Sequence, residues 1–266
     1  MPTVRSADGT TIAFDQHGEG PAVVLVGGAT QHRRIDPSTG QLTTLLATDF
    51  TVVHYDRRGR GDSGDTGPYA VEREIDDLAA LIKQVGGTAH VYGMSSGAVL
   101  ALRATAAGLP VTRLALYEPP FIIDDSRPAL PADYLDRLTE LLSAGRRADA
   151  VGHFMTYAVG LPPEVVAEMR GSQMWAAAEA VAHTLAYDGA VMGDTMSGRP
   201  LPRSWATSVT VPTLAIDGGE SPTWARDAVR ALADLLPRAR HRTLPGQTHG
   251  ADPTVLAPVL REFFAA

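Results

Sequence analysis

An alternation constrains this chain more than any other feature. Over the first 120 residues, short β-rich runs (Thr11–Gln16, Ala22–Val26, Thr51–Tyr55, His90–Tyr92 and Val111–Tyr117) are broken by turns and by stretches of helical period. Val71–Val85 sets Ile75, Leu78, Leu81, Ile82 and Val85 on one face, and Gly86-Gly87 ends it. Gly97–Ala107 reads as a small-residue helix closed by Gly108 and Pro110. Apolar strands joined through helices predict a mainly parallel sheet covered by helices on both faces.

The alternation stops at Pro119-Pro120. From Phe121 to about Ser208 no strand pattern is found, and the segment reads as helices over Ala132–Ser143, Ala148–Val159, Pro163–Met169 and Met174–Tyr187. Strand logic returns at Val211–Asp217, followed by a helix (Trp224–Leu236), a strand (Arg240–Leu244) and a last helix (Pro253–Phe264). The expected organisation is a core of residues 1–120 and 209–266 with a helical cap, residues 121–208, inserted into it. The cap's Met155, Tyr157, Met169, Met174, Trp175, Met192 and Met196 suit an apolar pocket lining and a plain cap core equally.

Composition removes whole classes of function. With no cysteine among 266 residues, disulfide scaffolds, thiolate zinc sites, iron–sulfur clusters and cysteine nucleophiles are excluded. A net charge of −7 argues against nucleic-acid partners and against attraction to anionic membranes. No basic start followed by an apolar run is visible at Met1–Asp15, and no stretch reaches the roughly 18 apolar residues of a membrane span. The expectation is a cytoplasmic protein acting on a small molecule.

Gly93-Met94-Ser95-Ser96-Gly97 carries the sharpest chemical signal, a G-x-S-x-G pentapeptide between a strand and a helix. Flanking glycines let the neighbouring backbone approach, and the central serine is presented at a helix N-terminus, which favours a developing anion. A nucleophilic serine needs a base. Of eight histidines, His54, His90 and His241 lie in or at strands, His153 and His183 fall in the cap, His17 is in an early turn and His32 in a loop. His249 sits in the loop between the last strand and the last helix, a position that can deliver an imidazole to a neighbouring loop. Gly59-Arg60-Gly61-Asp62-Ser63-Gly64 also satisfies G-x-G-x-x-G, but Thr66, Gly67 and Pro68 follow where a dinucleotide site needs a helix. A nicotinamide cofactor is therefore rejected, and no cofactor or metal is expected.

The order of these motifs resembles the α/β-hydrolase fold superfamily, in its serine esterase and cofactor-free haloperoxidase-like branch. Asp56-Arg57-Arg58-Gly59-Arg60-Gly61-Asp62-Ser63 is similar to the family's loop after its fourth strand. Gly27-Gly28-Ala29 takes the place of its His-Gly-x oxyanion loop, with Gly27 where the family often has His. The resemblance implies an eight-stranded, mainly parallel sheet with a helical cap after the sixth strand. It also implies that Ser95 attacks, that His249 is the base, and that the backbone N–H groups of Ala29 and Ser96 hold the oxyanion. Gln31, His32 or Arg33 would supplement that shell.

The third member of the triad departs from the family. The usual acid position after the seventh strand holds Ser221. Glu118 ranks first as a substitute: it ends the sixth strand, and Pro119-Pro120 fix the chain after it. A carboxylate at the end of an apolar strand also needs a partner. Asp217 and Glu220 follow. The implied activity is hydrolysis of a small, apolar carboxylic ester, lactone or thioester through an acyl-enzyme, with perhydrolysis and carbon–carbon cleavage on the same Ser–His pair left open. The alternative is a non-hydrolytic protein of this fold: a small-molecule binder, or a cyclase or lyase using His249 without a covalent step.

Overall fold

Val23, Val24, Leu25 and Val26 are all buried, and their neighbours divide by parity. Val24 and Val26 pack into one apolar cluster with Val53, Leu78, Leu81 and Val99, whereas Val23 and Leu25 pack into another with Leu42, Val52, Leu256 and Leu260. Successive strand residues point to opposite faces, so a strand buried at every position has a layer on each side. The computed structural model, which describes all residues Met1–Ala266, shows that arrangement.

Strands β1 (Thr3–Arg5), β2 (Thr11–His17), β3 (Ala22–Val26), β4 (Thr51–Tyr55), β5 (Ala89–Met94), β6 (Val111–Tyr117), β7 (Thr213–Gly218) and β8 (Ala239–Leu244) form one sheet in the order β1-β2-β4-β3-β5-β6-β7-β8. β2 pairs antiparallel with β1 and β4, and every pairing from β4 through β8 is parallel. The sheet carries α1 (Pro37–Leu46), α2 (Val71–Gln84) and α3 (Ser96–Ala106) in its first part. Between β6 and β7 come α4 (Tyr134–Ser143), α5 (Arg147–His153), α6 (Pro163–Met169), α7 (Gln173–Ala180), α8 (Leu185–Met192) and α9 (Trp205–Ser208), with no strand. α10 (Thr223–Leu235) and α11 (Pro253–Ala265) complete the chain, and no helix is long and apolar enough to cross a membrane.

Three local features differ from the sequence reading. β1 and α1 had no counterpart there. α1 is rich in Thr and Gly, so its period is faint; it is fixed by the Asp36 side chain, which accepts from Thr39 N–H at 3.0 Å, and by burial of Leu42 and Leu46. The helix expected over Met174–Tyr187 breaks at Val181 into α7, a 3₁₀ turn and α8. The β-branched Val181 and Thr184 weaken the helix there, and Thr184 Oγ1 is taken up by the Val181 carbonyl and by Arg60. α5 runs on as a π-helical turn, Phe154–Val159, ended by Gly160 at φ 84°.

The helices from α4 to α8 have an apolar cluster of their own, built on Tyr134, Leu138, Val151, Trp175 and Leu185. Phe154 and Met155 pack against it, and so does Ala29 from the loop after β3. Met192 and Met196 instead join the main core, and Met174 is exposed. The methionines expected as a pocket lining thus have three different environments.

The largest fully buried side chains include Arg57, Arg58 and Arg60, all from the loop after β4. Each is matched by carboxylates: Arg57 forks onto Glu74 at 2.7 and 2.8 Å and reaches Asp188 at 2.8 Å; Arg60 meets Asp188 at 2.6 Å; Arg58 forks onto Asp77. Burial alone would raise the pKa of Glu74 and Asp188, but the guanidinium groups hold both below the usual carboxylate range. A carboxylate depressed in the folded state stabilises above its unfolded pKa and loses that contribution as pH falls through its folded value. Asp77, pushed up by burial despite Arg58, has the opposite sign. The urea midpoint should therefore drop as pH is taken below about 4. Glu74→Gln should show a smaller drop over the same interval, and an equal one would remove Glu74 from the account.

Candidate active site

The site lies where β3, β5 and β6 end side by side. Ser95 joins β5 to α3 with φ 54° and ψ −128°, a region that a side chain rarely enters. The turn closes because two glycines permit it. A Cβ on Gly93 would press into Gly97 O and Ala98, and one on Gly97 would strike the carbonyls of Val26 and Gly27. Those obstacles are backbone and cannot swing aside. Gly97→Ala should therefore cost about 1–3 kcal/mol of stability or more, read as a lowered urea midpoint at unchanged slope.

Three residues other than glycine have positive φ in the whole chain: Thr30 at 63°, Ser95 at 54° and Glu118 at 42°. They follow β3, β5 and β6 respectively. Backbone in such regions costs roughly 1–3 kcal/mol per residue and persists only where the surroundings impose it. At Ser95 the N–H donates to the Tyr117 carbonyl at 2.9 Å, tying the turn to the end of β6. At Glu118 the N–H donates to Ile216 O at 3.0 Å, tying the next turn to β7.

The Glu118 carboxylate is almost wholly buried. Its Oε1 accepts from Gly218 N–H at 2.7 Å, and its Oε2 lies 2.8 Å from His249 Nδ1. Burial pushes this acid up, but hydrogen bonding by His249 and the Gly218 N–H holds it below the usual range. An ionised carboxylate only accepts, so Nδ1 donates in this contact, and in a neutral imidazole with that tautomer Nε2 is the acceptor. The His249 side chain is 52% exposed. Its loop is anchored from below, where Tyr117 Oη donates to the Thr248 carbonyl at 2.6 Å and Glu220 N–H donates to Gln247 O at 2.8 Å.

The other two acid candidates lie elsewhere. Asp217 is fully buried and bonds His241 Nε2 at 2.6 Å, a strand-to-strand pair across β7 and β8. Glu220 is exposed in the turn beyond. Ser221, at the family's usual acid position, is buried next to Glu118, but its Oγ has no partner in hydrogen-bonding geometry. The remaining histidines mostly have local roles: His90 stacks on Phe264 with its pKa pushed down to about 4 by burial and by Arg113, and His153 meets the Tyr134 carbonyl at 3.1 Å. Ser95 and His249 share no hydrogen bond in this structure.

Gly28 comes against the serine so closely that a Cβ there would lie 3.0 Å from Ser95 Cβ. The Ala29 N–H makes no hydrogen bond, and Ser96 supplies the first N–H of α3, which has no acceptor within the helix. The Ser96 N–H directly follows the serine, and the Ala29 N–H follows the Gly28 that packs against it. Of the side chains considered as a supplement, Gln31 accepts from the Gly28 N–H through Oε1, and Arg33 is turned onto Asp15, Asp56 and Asp62. His32 keeps a buried Nδ1 without a partner. The Gly59–Gly64 run is a loop, and the next helix begins only at Val71.

Sequence reading overlooked Asp188. It lies on α8, more than 90 residues from Ser96, whose Oγ donates to it at 2.7 Å. The available signal was one acid in an otherwise apolar helix, LAYDGAVM.

Fold and site together define an α/β enzyme scaffold with a serine on a strand-to-helix elbow. The model of the alpha/beta hydrolase family matches residues 23–259, and the chain belongs to that family. An alpha/beta hydrolase from Sphaerobacter thermophilus DSM 20745 is 57% identical, with a TM-score of 0.91 over 99% of this chain and 100% of that one. The enol-lactonase from Burkholderia xenovorans LB400 is 22% identical, with a TM-score of 0.72 over the whole of both chains. A thermophilic esterase from Thermogutta terrifontis is 22% identical, with a TM-score of 0.73 over 99% of this chain and 97% of that one. These last two likenesses concern the fold. A search of curated proteins finds no match.

Proposed function

We propose that the protein is a serine hydrolase that cleaves a small, apolar carboxylic ester, lactone or thioester through an acyl-enzyme. The observation that carries this reading is the Glu118–His249 contact of 2.8 Å beside a serine held at φ 54°. His249 Nε2 takes the Ser95 proton as Oγ adds to the substrate carbonyl, and returns it to the leaving oxygen or sulfur. Glu118 holds the imidazole in the required tautomer and stabilises the imidazolium, without itself taking the proton. The Ala29 and Ser96 N–H groups receive the developing oxyanion. Water then attacks the acyl-enzyme, with His249 again as base.

Packing of Ala29 against the cluster that holds Trp175 and Leu185, on which Phe154 and Met155 also pack, supports an apolar acyl or alcohol group. Residues 121–208 act in this reading as the cap over the serine. The lactonase and esterase named above fit the same substrate class.

Intact-protein mass spectrometry after treatment with a fluorophosphonate tests the reading. One adduct per chain, together with hydrolysis of p-nitrophenyl butyrate, is expected. A folded protein that takes no adduct would mean an unassembled triad, and the reading would give way to a binder or a non-covalent lyase.

A further inference from the structure

We propose that Asp188, on α8 between β6 and β7, is a positioning residue that aims both oxyanion donors through Arg60 and Ser96; this rests on the serine-hydrolase reading above. The geometry is specific. Arg60 Nη1 donates to the Gly28 carbonyl at 2.5 Å. Gly28 C=O and Ala29 N–H belong to one planar trans peptide, in which the two bonds point in opposite directions. Fixing the carbonyl therefore fixes the direction of the Ala29 N–H. Arg60 is fixed in turn by Asp188 Oδ2 at 2.6 Å and by Thr184 Oγ1 at 3.1 Å.

The other oxygen of Asp188 serves the second donor. Oδ1 accepts from Ser96 Oγ at 2.7 Å and from Arg57 Nη1 at 2.8 Å. Ser96 carries the second oxyanion N–H on the residue whose side chain is held. Arg57 is fixed from behind by its two bonds to Glu74 and also reaches the Gly27 carbonyl at 3.4 Å. One carboxylate thus connects to both peptides that face the carbonyl oxygen of a substrate. It comes from the helical segment, so the placement of that segment and the aim of the oxyanion donors are set together. Asp188 and both arginines are fully buried, so the pairing is dry and its geometry stiff.

A salt bridge serving only stability predicts a lower melting temperature and an unchanged reaction. A positioning role predicts a loss confined to the transition state. Asp188→Asn is the direct test, with Ser96→Ala as a milder variant that deletes one hydroxyl from a helix. Three quantities are measured on each well below its melting temperature: kcat and KM for p-nitrophenyl butyrate, and Ki for an alkyl trifluoromethyl ketone, which forms a tetrahedral adduct on the serine. For Asp188→Asn, kcat should fall about 10- to 100-fold, short of losing a whole donor. KM should stay within about twofold and Ki should rise by the factor that kcat falls. Ser96→Ala should show the same pattern at several-fold. A folded Asp188→Asn with unchanged kcat and Ki overturns the proposal. If that variant does not fold, unchanged values in Ser96→Ala overturn it. Fluorophosphonate labelling of the wild type keeps the two levels apart. An unlabelled wild type sinks the serine mechanism, whereas a labelled wild type with an indifferent Asp188→Asn sinks the positioning role alone.

Discussion

Ser95→Ala should lower kcat for p-nitrophenyl butyrate by about 10⁴-fold or more and abolish the fluorophosphonate adduct. The residual rate would come from the oxyanion donors and from binding, which do not need the hydroxyl. Ser95→Gly should be equally inactive, and more stable than wild type by about 1 kcal/mol. The backbone at φ 54° and ψ −128° burdens any residue with a Cβ, and glycine escapes the burden while losing more chain entropy on folding. Opposite shifts of activity and melting temperature in one variant would mark the elbow as a place where stability is given up for chemistry. A Ser95→Ala protein that keeps most of its activity would end the acyl-enzyme mechanism.

The second large effect separates the acids. Glu118→Gln should lower kcat by about 10²- to 10⁴-fold, because the amide no longer fixes the imidazole tautomer or stabilises its cation. Its carbonyl can still accept from the Gly218 N–H, so the fold should survive. Asp217→Asn should leave kcat within a few-fold and instead cost about 1–3 kcal/mol of stability, since it weakens the bond between a fully buried carboxylate and the partly exposed His241. Glu220→Gln, in an exposed turn, should change neither. An active Glu118→Gln beside an inactive Asp217→Asn would move the acid to β7 and reverse the assignment.

Much of this follows from β6. In the family's common pattern the acid stands after β7, and here that place holds Ser221. Glu118 reaches the histidine from the neighbouring strand because its own φ of 42° turns the chain at the strand end. Pro119-Pro120 then stiffen the exit. In the proposed mechanism the turn at Glu118 serves the acid as the turn at Ser95 serves the nucleophile.

The parallel sheet was legible in the sequence because burial on both faces leaves uninterrupted apolar runs such as AVVLV in β3 and LAI in β7. The serine elbow was legible because Gly93 and Gly97 are demanded by backbone contact, a requirement that local sequence records. α1 and the break at Val181 were not legible. One depends on a cap and on two buried leucines in a Thr-rich stretch, the other on a hydrogen bond from Arg60, and neither leaves a period. Among the acids, sequence ranked Glu118 ahead of Asp217 and Glu220 by its strand end and the prolines after it, but could not show which side chain each one meets. Asp188 was the least visible, because its partners stand more than 90 residues away in sequence on α3 and in the loop after β4. Local pattern thus determined the strands, the elbow and the loop that bears His249, because their constraints are steric and short in range. Tertiary structure alone decided which carboxylate faces His249 and which one, through Arg60, holds the Gly28 carbonyl. Charges buried on different elements are paired only when the sheet and the helices above it bring them together, and an unpaired one would be too costly to leave inside.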